Sequence, residues 1–515
     1  MTIPQTVREV ALAHAGRPAI IYRDEVISYA ELCKLIARAA TGFASLKVGE
    51  GDRVALVSPN SSQFIIAFLG AMEAGAAVVP INPMLKPPEV AFMLADAEVK
   101  VVAAFGDLAK LVIAASEDLA TTPRLVTIGN CPVPGAAALE DWLAIGPDTF
   151  TAPDMVDTRI AEILYTAGTT GQPKGAMLSH HNILWDSASC AQAIRFSEED
   201  IILAALPMFH SYASTVGVVL PLRLGACSLV VDRFVPVEVA AVIQKHRCTV
   251  LPAVPAMCAA LLRAADELPV GALESLRMVV CGGAPMPVEL MKAFEERFGL
   301  IVIEGDGPTE CSPVTSANRP DGPRKPGSIG LPIPGCEMRI VDDADDELPD
   351  GQVGEICVRG PNVMVGYLNQ PDATLEAMSG GWFHTGDLGY RDEDGFFFIV
   401  DRKKDMIIVG GLNVYPREIE TVLSAYPGIA EAAVIGLYDD IRGEKVKAFV
   451  RPAEGASVSV ADLTRHCRER LANFKVPKEI VFVKDFPRTL KGTILKRELR
   501  DPHSGEPCGS GAGAA

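Results

Sequence analysis

The stretch Tyr165-Thr166-Ala167-Gly168-Thr169-Thr170-Gly171-Gln172-Pro173-Lys174-Gly175 has the residue types best suited to handling an anion. Three glycines and three threonines fall within the ten residues from Thr166 to Gly175, with Lys174 near the end. Glycines let successive backbone N–H groups turn inward and form an anion nest. Threonine hydroxyls add donors, and the lysine adds a mobile positive charge. Such a loop fits a polyphosphate. It is not the common P-loop, in which glycine directly precedes the lysine and serine or threonine directly follows it. Here Pro173 precedes Lys174 and Gly175 follows it. An ordinary surface turn would also explain a short Gly/Thr loop, so its meaning depends on what else the chain carries.

Other short stretches follow in order. They are Pro207-Met208-Phe209-His210, Gly282-Gly283-Ala284-Pro285, Glu304-Gly305-Asp306-Gly307-Pro308-Thr309-Glu310 and Trp382-Phe383-His384-Thr385-Gly386-Asp387. Asp401-Arg402-Lys403-Lys404-Asp405 and Gly410-Gly411-Leu412-Asn413-Val414-Tyr415-Pro416 complete the set. Singly, each fits a solvated loop or a core residue. In this order, from about Ala19 to Arg500, they resemble the adenylate-forming superfamily: acyl-CoA synthetases, adenylation domains of peptide synthetases, and firefly luciferase.

The resemblance implies a reaction. ATP would convert a carboxylic acid to acyl-AMP with release of pyrophosphate, and CoA would then take the acyl group and release AMP. The chain would be an AMP-forming acid–thiol ligase using ATP, Mg²⁺ and CoA. Two anions must meet in the first step, so neutralising charge is the main catalytic task. Thr166, Lys174, Glu310 and Lys491 are the catalytic residues this implies. Thr166 and Glu310 would hold Mg²⁺, as hard oxygen ligands suit that ion. Gly168, Thr169, Thr170, Gly171 and Lys174 would bind the phosphates along with Thr166. Gly283, Ala284, Asp306, Gly307 and Thr309 would line the rest of the nucleotide site. Asp387 would accept the ribose hydroxyls, and Arg402 would bind ribose or phosphate. His210, Gly282 and Gly283 would border the acyl group. Lys404 would be the pivot of a hinge, and Gly410, Gly411 and Tyr415 would border the CoA tunnel.

Three positions depart from the family pattern. Ala167 stands where serine or threonine is usual. Asp306 stands where an aromatic residue usually stacks on adenine, and its carboxylate could accept from the adenine amino group instead. Thr493 stands where a lysine usually reaches the reacting groups. Lys491 lies two residues earlier and could substitute if the chain bends at Gly492.

These residues need rigid elements behind them. Arg53 to Val57, Ala77 to Ile81 and Val99 to Ala103 are strand-like, with helical patterns at Ser61 to Ala74 and Glu89 to Ala97 between them. That alternation predicts a parallel sheet with covered faces. It recurs from Ile201 to Glu304, with strands at Leu229–Val231, Thr249–Leu251 and Met278–Val280. The fold class expected is α/β: an N-terminal AMP-binding domain over 1–400, made of two parallel-sheet subdomains and a small β-rich subdomain over about 319–400. A hinge over 401–405, a mobile α+β domain over 406–500 and a disordered tail over 501–515 follow.

Composition narrows the function classes. At 515 residues and 49% hydrophobic, the chain can bury a large core. A formal net charge of −18 argues against a nucleic-acid partner. The 12 cysteines show no metal-ligand spacing, and thiols in a reducing compartment fit them best. The N-terminus lacks the layout of a signal peptide, and the apolar stretch Val216 to Val231 is interrupted by Arg223. The expectation is a cytoplasmic protein without a transmembrane segment, for which peripheral membrane contact stays open. The small and apolar residues from His210 to Gly217 suit an alkyl chain, favouring a medium- or long-chain fatty acid. Two alternatives stand beside this: an adenylation enzyme loading a carrier protein, and a catalytically impaired acid- or nucleotide-binding relative.

Overall fold

The run Arg53–Val57 forms a strand with four of its five residues buried, flanked in parallel by Ala77–Pro80 and Val101–Phe105. Burial on both faces is what a near-continuous apolar strand requires. Ser61 starts the next helix by accepting the Phe64 N–H at 3.0 Å, and every residue of Ser62–Glu73 except Gln63 is buried. A helix apolar all round needs cover all round, and this one fits between layers. In the computed structural model the described residues are 1–129, 131–166, 173–409, 412–439, 443–471, 473–488 and 494–500. They gather into two units. One comprises Met1–Arg339, Cys357–Thr385 and Asp394–Phe397; the other comprises Ile340–Ile356, Gly386–Glu393 and Phe398–Ala515.

The first unit holds two large sheets. In one, the order is Gly366–Tyr367, Lys174–Ser179, Ile160–Thr166, Ala77–Pro80, Arg53–Val57, Val101–Phe105, Arg124–Ile128 and Ala137–Ala138. It is parallel from Ile160–Thr166 onward and antiparallel at the other edge. In the second, the strands Pro18–Tyr22, Cys227–Val230, Ile201–Ala204, Val250–Ala253, Met278–Cys281 and Ile301–Asp306 run parallel. The helix expected over Glu89 to Ala97 extends over Pro87–Asp96, starting two residues earlier because two prolines pre-set its first turn.

The stretch after His210 differs from its sequence pattern in kind. Ala213–Val219 is a π-helix, continued by Leu220–Leu224. Gly225 turns the chain at φ +82° into the strand Cys227–Val230. The apolar run Val216 to Val231 is therefore folded into three elements. Among the described residues no helix is long and apolar enough to cross a membrane.

The second unit contains a sheet with Gly443–Pro452 at its centre. Ile429–Asp439 and Ile407–Val409 flank it antiparallel, and Glu479–Phe482 pairs with it parallel. Helices Pro416–Ser424 and Val460–Arg470 bury Ile419, Leu423, Leu463 and Cys467 against Val434, Val446 and Val450. Asp401 and Arg402 end the strand Phe397–Arg402, and Lys403–Asp405 is a single 3-10 turn.

Candidate active site

The strands Ile160–Thr166 and Lys174–Ser179 run antiparallel, with Thr166 opposite Lys174. The intervening loop, with Gly168, Thr169, Thr170 and Gly171, lies outside the described residues. At its base, Thr166 Oγ1 lies 3.1 Å from Glu310 Oε1. The same oxygen accepts the Tyr367 hydroxyl at 2.9 Å. Tyr367 pairs with Ala176 across the sheet edge, and Lys174 Nζ sits 5.0 Å from the centre of its ring. Burial and the neighbouring Glu310 charge push the Tyr367 phenol up, so it stays protonated and donates. Glu310 is buried, at 8% exposure. A hydroxyl, a phenol, a carboxylate and an ammonium thus converge from three distant stretches of chain. Thr166 and Glu310 offer the hard oxygens that Mg²⁺ prefers.

A second wall comes from the other sheet. Met278–Cys281 and Ile301–Asp306 lie parallel, Cys281 opposite Glu304, so the turns that follow them are neighbours. The first turn carries Gly282, Gly283 and Ala284. Gly283 adopts φ +73°, a conformation that favours glycine. The second carries Gly307, Thr309 and Glu310. A side chain at Gly307 would meet the Pro313 carbonyl at 1.6 Å, so only glycine fits. Asp306 is half-buried, and its backbone carbonyl accepts from Thr315 N at 2.9 Å and Thr315 Oγ1 at 3.0 Å.

The His210 segment closes this wall. Thr309 Oγ1 lies 3.2 Å from Ser211 Oγ, and the Tyr212 hydroxyl donates to the Val280 carbonyl at 2.7 Å. His210 is half-buried, its ring 4.6 Å from that of Phe209. Buried Asn60 braces the segment. Its Nδ2 donates to the Leu206 carbonyl at 2.9 Å, and its Oδ1 accepts from Met208 N at 2.9 Å. Asn60 and Tyr367 were not singled out by sequence. Asn60 sits in Ser58-Pro59-Asn60, a stretch of turn-forming residues after the strand Arg53–Val57, but its target lies 146 residues away. Tyr367 carries no local signal at all.

The second unit holds a different arrangement. Asp387, 5% exposed, pairs through Oδ1 with Arg402 Nε at 2.5 Å. Next to it, Gly386 N donates to Glu355 Oε1 at 3.0 Å, and Lys403 Nζ reaches Glu355 Oε2 at 3.1 Å. Tyr415 is half-buried just before the helix Pro416–Ser424. The Lys404 backbone lies in the 3-10 turn, and its side chain is outside the described residues, as are Gly410, Gly411, Lys491 and Thr493.

Residues 7–368 match the AMP-binding enzyme family, and residues 418–493 match its C-terminal domain. A long-chain-fatty-acid–CoA ligase of Bacillus subtilis (strain 168) is 34% identical over 97% of this chain and 94% of its own length. A feruloyl-CoA synthase of Amycolatopsis sp is 36% identical over 94% of this chain and 95% of its own. The solved structure of ATP-bound MatB from Rhodopseudomonas palustris superposes with a TM-score of 0.89 at 32% identity, covering 97% of this chain and 98% of that one. The chain therefore belongs to the AMP-binding enzyme family, as an adenylate-forming acid–thiol ligase that uses ATP, Mg²⁺ and CoA.

Proposed function

We propose that this acyl-CoA ligase acts on a medium- or long-chain fatty acid, and that Thr166, Lys174 and Glu310 carry its adenylation step. The observation that supports the site most is the meeting of Thr166 and Tyr367 on one oxygen of Glu310, with Lys174 over the Tyr367 ring. A carboxylate is a poor electrophile because oxide would have to leave. Attack of its oxygen on the α-phosphorus of ATP breaks the bond to pyrophosphate and leaves AMP as the group to be displaced. The CoA thiol then attacks the acyl carbonyl, and AMP departs.

Mg²⁺, held by Thr166 and Glu310 when bound, supplies charge neutralisation at the phosphates. Lys174 adds a second positive charge beside them. Tyr367 orients the Glu310 oxygen by donating to it. Gly168, Thr169, Thr170 and Gly171 offer backbone and hydroxyl donors to the phosphates. Gly283, Ala284, Asp306, Gly307 and Thr309 border the base, where Asp306 accepts from the adenine amino group. Asp387 accepts the ribose hydroxyls, and Arg402 stays within reach of them. His210, Gly282 and Gly283 border the acid. The domain over 406–500 turns about Lys404 to bring Gly410, Gly411 and Tyr415 to the CoA tunnel. Lys491 takes the place of the lysine missing at Thr493.

A fatty acid is favoured by the Bacillus relative and by the small side chains Ser211, Ala213, Ser214 and Val216. An aryl acid is the second reading, favoured by the feruloyl-CoA synthase. A panel of dodecanoate, hexadecanoate, ferulate and benzoate, scored by AMP release with CoA present, separates them. The fatty-acid reading expects kcat/KM for dodecanoate or hexadecanoate to exceed that for both aryl acids. The opposite order refutes it.

A further inference from the structure

Glu162 lies on the strand Ile160–Thr166, four residues before Thr166, and belongs to none of the motifs above. It is 1% exposed and sits between Val78 on one neighbouring strand and Leu178 on the other. Its Oε2 lies 3.2 Å from Ser214 Oγ, inside the π-helix Ala213–Val219. Its Oε1 has no hydrogen-bond partner among the described residues. The same Ser214 hydroxyl also lies 3.2 Å from the Ser211 carbonyl. π-helical turns are rare and recur at functional sites.

We propose that Glu162 is a positioning residue for the acid substrate, holding the His210–Ser211 turn through the Ser214 hydroxyl. This rests on the reading that the turn borders the acid. Ser214 has a single hydroxyl proton. If that proton goes to the Ser211 carbonyl, the bond to Glu162 needs a proton from Glu162, so its carboxyl must be neutral. The chain then runs Glu162 Oε2–H to Ser214 Oγ–H to Ser211 O. Ionised Glu162 instead draws the Ser214 proton to itself, and the Ser211 carbonyl loses the Ser214 hydroxyl. Ser211 is the residue whose own hydroxyl meets Thr309, beside Glu310. The π-helix is tied to the end of the Thr309–Cys311 turn by Thr215, which donates to the Ser312 carbonyl at 3.0 Å.

The neutral form fits the surroundings. An unpaired carbonyl oxygen of a neutral acid costs less to bury than an unpaired carboxylate oxygen. Burial pushes the Glu162 carboxyl up to about 8, the Ser214 hydroxyl working in the other direction. The titratable groups on the adjoining elements are Lys174, on the paired strand, and His180, His181, Asp186 and Cys190, on the helix His180–Ile194. None of them is among the causes that shift Glu162.

The test uses the full chain, as wild type and as Glu162→Gln, whose amide N–H can donate to Ser214 at every pH. Hydrogen exchange of the segment 208–219, corrected for intrinsic rates, is compared at pH 7 and pH 9.5. Losing one hydrogen bond predicts a fall in wild-type protection of about three- to tenfold and no change in Glu162→Gln. The KM for dodecanoate should rise over the same range in wild type alone, with the KM for ATP unchanged. Ser214→Ala should raise the dodecanoate KM at every pH and abolish the step. Equal pH steps in wild type and Glu162→Gln, or parallel rises in both KM values, overturn the proposal. If dodecanoate is not turned over at all, the fatty-acid reading fails, and the exchange data still decide the role of Glu162.

Discussion

Glu310 and Asp387 are both buried carboxylates, and their surroundings treat their charge in opposite ways. Glu310 is held by two neutral donors, the Thr166 hydroxyl and the Tyr367 phenol, and has no salt-bridge partner among the described residues. Asp387 is paired with the guanidinium of Arg402, itself more than half exposed. Neutral donors orient a carboxylate without cancelling its charge, which leaves that charge available to a cation. An ion pair cancels it, so a ligand of Asp387 must either share the guanidinium or displace it. On the proposed reading, Glu310 is thereby kept for a metal and Asp387 for exchangeable hydrogen bonding.

The largest effect should follow from changing Glu310. Glu310→Gln keeps the shape and removes the charge, and we expect acid-dependent pyrophosphate exchange to fall roughly 10²- to 10³-fold. Tyr367→Phe removes one hydrogen bond to a charged group, worth about 1.5–3 kcal/mol. It should lower exchange by roughly 10- to 100-fold and raise the Mg²⁺ concentration for half-maximal rate. A Tyr367→Phe enzyme with unchanged Mg²⁺ dependence would separate the phenol from the metal site.

A third buried carboxyl, Glu162, sharpens the comparison because its burial favours the protonated form. Its folded value of about 8 lies above the ordinary 4.5. The folded state therefore holds a proton that the unfolded chain releases. Its stabilising contribution is complete below about 4.5 and is lost as pH rises through about 8. The melting temperature of Glu162→Gln relative to wild type should climb between those pH values and then level off. A constant difference across the range would count against a neutral Glu162. The smallest effect belongs to Arg402→Ala. The guanidinium of Arg402 is more than half exposed, and solvent screening leaves such a pair about 0–1 kcal/mol, so the KM for ATP should move less than about fivefold. A change of two orders of magnitude would mean Arg402 does more than hold Asp387.

The parallel sheets were legible because the strands are short apolar runs and several helices between them carry a start signal, such as Ser61 or Pro87. The candidate site was legible only where it is local. Thr166 and Lys174 stand at the two ends of one loop, and Glu310 ends a turn in which Gly307 is the only residue that fits. Tyr367 was not legible, because only the pairing of Gly366–Tyr367 with Lys174–Ser179 brings it to Glu310. Asn60 was hidden for the same reason: a turn residue gains its meaning from the distant backbone it braces. The π-helix had no signature either, since Ala213–Val219 reads equally well as an apolar α-helix or strand. Charge and spacing reveal chemistry within a loop, whereas sheet order decides which loops meet.

The central claim is that an acid is adenylated beside Glu310, before any thiol takes part. The direct measurement is incorporation of labelled pyrophosphate into ATP without CoA, across the acid panel, in wild type and Glu310→Gln. We predict Mg²⁺-dependent incorporation in wild type that requires an acid, and its near loss in the variant. Absence of incorporation with every acid, or equal incorporation in both proteins, would contradict the account.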